Sequence, residues 1–64
     1  MIKNKIWEMR TEKGYSLKKL AQKSGISKST INRMENNQAP LDLYKLDKIA
    51  DALGCKIEDL YEKI

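Results

Sequence analysis

The 64-residue chain has no histidine or phenylalanine, one cysteine, one proline and three glycines. Each scarcity removes a way of holding or using so short a protein. Cys55 alone cannot close an internal disulfide. Without histidine, one thiol cannot supply the four ligands of a structural zinc site. Nucleophile-plus-base catalysis lacks its parts too: there is no imidazole, no carboxylate pair on a common face, and Cys55 is expected to be buried. The chain is therefore not expected to be an enzyme, to hold a metal or cofactor, or to take a small-molecule ligand. No apolar run approaches the roughly 20 residues of a membrane span, and the N-terminus lacks a signal-peptide core. A cytoplasmic protein with no membrane partner is the expectation, and a lone thiol between Leu53 and Ile57 fits a reducing compartment. A chain of this length buries only about 60% of its unfolded surface, so it must rely on close helix packing, a partner chain, or both.

Charge is plentiful but unevenly placed. Residues 1–40 carry nine Lys and Arg against three Glu, an excess of six positive charges. Residues 41–64 carry four Lys against six Asp and Glu, an excess of two negative ones. A basic front and a mildly acidic back point to a polyanionic partner on the N-terminal side.

The apolar spacing predicts five helices, over residues 3–13, 17–24, 28–36, 43–53 and 57–63. Ser16, Ser27 and Asp42 precede three of them as N-caps, while Gly14, Gly25 and Gly54 follow apolar-periodic segments as C-terminal caps do. Ile2, Ile6 and Met9 share the inner face of the first helix, and Leu17, Leu20, Ala21 and Ser24 that of the second. Ile31 and Met34 point inward from the third, and Leu43, Leu46, Ile49, Ala50 and Leu53 from the fourth. Ile57 and Leu60 represent the fifth in the core. No segment alternates with period two over strand length, so no sheet is expected. The reading is a single all-α domain over residues 1–64.

Leu17 to Asn36 is the informative stretch. Gly25-Ile26-Ser27 is too short a link for antiparallel packing, so the second and third helices must meet steeply. Ala21 permits close approach, Gly25 can adopt the left-handed conformation that ends a helix, and Ile26 plugs the corner. Together with Leu20, Ile31 and Met34 these residues form a helix-turn-helix constellation.

The same residues, with Gly14-Tyr15-Ser16-Leu17, Arg33-Met34-Glu35-Asn36 and Lys48-Ile49-Ala50-Asp51-Ala52-Leu53-Gly54, resemble the phage Cro and lambda-type repressor (XRE) family from Ile6 to Leu60. The resemblance implies a five-helix lambda-repressor-like DNA-binding domain. It also implies a homodimer on a pseudo-palindromic double-stranded operator, acting as a Cro-like bacterial or phage repressor. The alternative is a helical protein-interaction module, such as an antitoxin or antirepressor partner. Met1 and the near-complete match lead to the expectation of a whole protein.

On this reading helix 28–36 enters the major groove. At about 100° per residue, Ser29, Asn32 and Arg33 fall opposite Ile31 and Met34, and Lys28 sits at the N-terminal end that meets base edges. Lys28 and Arg33 can donate to guanine and Asn32 can pair with adenine, with Ser29 beside them. Ser16, Ser27, Asn36, Asn37, Gln38 and Lys18 are the phosphate candidates, since helix N-termini attract anions. Arg10 and Glu35 border apolar faces, and the resemblance makes them an internal salt bridge. It also places Tyr61 and Ile64 at a dimer interface. Two residues depart from the family pattern: Leu17 stands where members commonly have Gln, and Lys56 where a capping Ser or Thr is common. Leu17 is expected to pack, so the glutamine's reach to DNA is either missing here or taken over by Ser16 or Lys18. Trp7, where the family more often has a polar residue, is expected to pack over the fifth helix, with a partner surface as the second reading.

Overall fold

In the computed structural model, which describes residues 1–64, three of the four α-helices start where the sequence supplies a side-chain cap. After α1 (Ile6–Glu12) come α2 (Leu17–Ser24), α3 (Lys28–Glu35) and α4 (Leu43–Leu53). Ser16 Oγ accepts the amide of Lys19 at 3.0 Å, Ser27 Oγ that of Thr30 at 3.2 Å, and Asp42 Oδ1 that of Lys45 at 3.1 Å. Each bond satisfies a donor that the first helical turn would otherwise leave open. Gly25 and Gly54 end α2 and α4 at φ +76° and +69°, where a Cβ would be strained.

The core draws on every helix. Ile6, Leu20, Ile31, Met34, Leu46, Ile49, Ala50, Leu53 and Leu60 form one buried cluster. α2 packs on α3 and α4, α1 on α3, and α4 on the turn that follows it. No helix is long and apolar enough to cross a membrane.

The chain ends depart from the five-helix expectation. Ile2–Asn4 is a strand, β1, and Tyr61–Lys63 is its antiparallel partner, β2. Ile2 lies opposite Lys63, Lys3 opposite Glu62 and Asn4 opposite Tyr61. The first helix therefore begins at Ile6, and the fifth shrinks to a 3₁₀ turn, Ile57–Leu60. The expectation of an all-α chain is corrected to four α-helices, a 3₁₀ turn and a two-stranded sheet. Three-residue strands are too short to show a period of two, and their partner lies at the far end of the chain. The main chain shows why the last helix stops. Lys5 N–H donates to Leu60 O at 2.8 Å and Ile64 N–H to Met1 O at 2.9 Å, so groups that would extend the helix bond to the N-terminal segment instead. Lys56 supplies no side-chain cap; the Asp59 amide donates to Lys56 O at 3.0 Å, and the Asp59 carboxylate accepts the Lys56 amide at 3.0 Å.

Three inward assignments also change. Leu43 is 70% exposed, because it sits on the first turn of α4 at the rim of the core. Ile2 is half exposed on β1 rather than buried on a helix. Trp7 is 55% exposed, so it is not covered by the last segment as expected.

Candidate nucleic-acid interface

The corner between α2 and α3 sets the geometry of the site. Gly25 turns the chain left-handed, Ser24 Oγ accepts the Ile26 amide at 3.1 Å, and the Ile26 side chain packs against the core. This brings the N-terminal ends of both helices to one open cleft of about 490 Å³, lined by Leu17, Ser27, Lys28, Ser29 and Asn32. Three of the four base-contact candidates thus share one concavity. Arg33 lies outside it, with its Nη2 donating to Gln38 O at 3.4 Å while Gln38 N–H donates to Arg33 O at 2.7 Å. All four are exposed. Asn32 Oδ1 accepts from Asn36 Nδ2 at 3.2 Å, and the Asn32 amide nitrogen has no partner within the protein.

The phosphate candidates separate by what their polar atoms already do. In the first turns, the amides of Leu17 and Lys18 on α2, and of Lys28 and Ser29 on α3, have no partner within the protein. Exposed amides of this kind, at the positive end of the helix dipole, suit an anion. Ser16 accepts in its cap but keeps its own proton to give. The Ser27 hydroxyl proton is committed inside its cap: Oγ accepts from Thr30 N–H and donates to Thr30 Oγ1 at 2.7 Å, with Ser29 Oγ 3.5 Å away. Asn36 gives one amide N–H to Asn32, and Asn37 accepts from Asn4 through Oδ1 while its Nδ2 has no partner in the protein, so all three residues after α3 keep donors for a phosphate, Gln38 with its whole side chain free. Lys18 is exposed and unpaired, whereas Lys19 and Lys23 lie over the Tyr15 ring, 4.7 and 5.8 Å from its centre.

The other end of α3 is tied down. Arg10 Nε and Nη2 donate to the two Glu35 carboxylate oxygens at 2.7 and 3.1 Å, and Nη1 donates to Tyr15 O at 2.9 Å. Only 11% and 5% of the two side chains is exposed, so this fork-on-carboxylate pair is shielded from water. Asn4 adds a second tie that sequence reasoning missed. It is buried, and its Nδ2 donates to Glu35 O at 3.3 Å and to Asn37 Oδ1 at 2.8 Å. Asn37 itself turns left-handed at φ +59°, a conformation Asn tolerates better than most residues. The only sequence signal for Asn4 was an amide set between Ile2 and Ile6, and that spacing means nothing until β1 is known.

Away from this face, Ile2, Leu41, Leu43, Leu46 and Tyr61 line a second groove of about 170 Å³, wholly apolar in its residues. Tyr61 is thus in the groove and Ile64 is exposed beyond it. Cys55 is half-buried. Burial pushes its thiol above the ordinary value, the Asp59 charge adds to the rise, and Lys13 opposes it.

Residues 5–64 match the model of the Cro/C1-type HTH DNA-binding domain family. The HTH-type transcriptional regulator SinR of Bacillus subtilis (strain 168) is 36% identical over 64 residues, a match spanning 98% of this chain but 58% of SinR. Among solved structures, the restriction-modification controller protein C.AhdI from Aeromonas hydrophila superposes with a TM-score of 0.82 at 33% identity, over 86% of this chain and 83% of that one. The N-terminal DNA-binding domain of SinR superposes with a TM-score of 0.78 at 34% identity, over 84% and 80%.

Proposed function

Because the chain belongs to the Cro/C1-type helix-turn-helix DNA-binding family, we propose that it is a sequence-specific transcriptional regulator that represses from a pseudo-palindromic operator. In this reading α3 lies in the major groove. Lys28, Ser29, Asn32 and Arg33 meet base edges, and the free first-turn amides with Ser16, Lys18, Asn36, Asn37 and Gln38 hold phosphates. One observation carries the reading: the starts of α2 and α3 open onto a common cleft lined by Lys28, Ser29 and Asn32, with four unpartnered amides in the two first turns. A protein-interaction module would need an apolar outer face on α3, and these four residues are polar.

A homodimer completes the reading, since a two-fold operator needs two copies of α3. The apolar groove of Ile2, Leu41, Leu43 and Tyr61, with Ile64 nearby on β2's side, is the surface on which a second copy would sit. Scattered apolar residues are ordinary on a surface, but a contiguous groove of them favours a protein partner.

Selection of bound sequences from a random duplex pool, followed by affinity measurement at several salt concentrations, tests the proposal. The expected result is a two-fold consensus whose half-sites lie about one helical turn, roughly 34 Å, apart. Affinity should fall steeply with salt as counterions are released. Equal affinity for all duplexes overturns sequence-specific regulation, and a single isolated half-site overturns the dimer.

A further inference from the structure

Leu17 has no obvious place among polar contacts, yet it stands in their midst. It is the first residue of α2, directly after the Ser16 cap, and it forms one wall of the cleft whose other walls are Ser27, Lys28, Ser29 and Asn32. It is the cleft's only apolar residue. Leu17 packs against the core without being fully buried, so part of its surface serves folding and part is left facing the cleft.

Resting on the reading that this face binds the major groove, we propose that Leu17 is a specificity-determining residue that reads the C5-methyl group of a thymine. A leucine can neither donate nor accept, so the polar edges of the bases offer it nothing. If it faces a polar edge, its exposed surface and that edge both lose water without compensation. The methyl of thymine is the one apolar group that the four ordinary bases present in the major groove. The neighbours reinforce the selection. Lys28, Ser29 and Asn32 hold the duplex edge by polar contacts, which positions whatever base lies against the apolar wall. Recognition at that position then works by exclusion as well as attraction: cytosine shows an amino group and no methyl, and guanine and adenine show acceptors.

The test compares thymine with uracil, which differ only in this methyl. The 64-residue protein and its Leu17→Gln variant are measured on the duplex recovered by selection, with each thymine replaced in turn by deoxyuridine. Taking the ratio of affinities for the two duplexes within one protein cancels any loss of folded fraction in the variant. At one thymine per half-site the parent protein should lose about fourfold in affinity, the worth of burying one methyl-sized group (about 0.8 kcal/mol). In Leu17→Gln that ratio should fall to near one, while the other thymines behave alike in both proteins. If no thymine shows a methyl effect that depends on residue 17, the assignment is overturned, whether Leu17 only packs or lies on a sugar. If selection recovers no consensus at all, the DNA-reading proposal fails first and this one with it.

Discussion

The two ends of α3 are built on opposite principles. At the Lys28 end, donors are left open: the amides of Lys28 and Ser29 are unpartnered and the side chains of Lys28, Ser29 and Asn32 reach into a cleft. At the Glu35 end nearly every polar group is matched, by the Arg10 fork on the carboxylate and by Asn4 on the Glu35 carbonyl and Asn37. An eight-residue helix has little stability of its own and takes its order from what it packs on. Tying one end with buried bonds allows the other to present unsatisfied groups without moving. Open donors on a mobile helix would have to be ordered at the moment of binding, and that entropy would come off the affinity.

The comparison can be broken most severely at the tied end. Glu35→Ala leaves the shielded Arg10 charge without a partner and should cost about 3–5 kcal/mol of stability. That approaches the whole stability of so small a domain. Denaturant unfolding reads this directly, and replacing both partners by apolar residues (Arg10→Met with Glu35→Leu) should restore much of the loss. A cost below about 1 kcal/mol would show that the pair behaves like an ordinary surface salt bridge and anchors nothing.

The free end should respond in the opposite way, in binding rather than stability. Arg33→Ala removes an exposed side chain whose one internal bond is long, at 3.4 Å, so unfolding should shift by no more than about 0.5 kcal/mol. Binding should weaken by about 1–3 kcal/mol at a particular base pair and discriminate less there. Uniform weakening on all duplexes would instead assign Arg33 to the phosphate backbone. Ser27 lies on the boundary between the two behaviours. Its hydroxyl is used up in the cap, so Ser27→Ala should cost about 1 kcal/mol of stability and leave the salt dependence of binding unchanged. A fall in the salt slope would show that Ser27 also holds a phosphate.

The legible parts of the molecule were those written in consecutive residues. Ser16, Ser27 and Asp42 before helices and Gly25 and Gly54 after them mark local backbone states, and the boundaries of α2, α3 and α4 follow within a residue. Leu43 shows the limit of that logic. A helical period says which residues share a face, but not how far along the helix the neighbour extends, and α4 begins beyond the core's rim. Trp7 fails for the same reason: the helix it was to cover ends early, at a 3₁₀ turn.

Capping, helical period and the glycine corner are properties of neighbours along the chain, so they determine by themselves α2, α3 and α4, the steep α2–α3 junction and a polar outer face on α3, while the same signals overran the first helix and predicted a fifth that does not form. The terminal sheet, the burial of Asn4 and the shape of the cleft beside Leu17 are decided by groups far apart in the chain, as when Ile2 pairs with Lys63. Three-residue strands carry no periodic signal, and a main-chain bond such as Lys5 to Leu60 does not depend on which side chains are present. Only the packed structure says which of the open backbone groups find each other and which stay free for a partner.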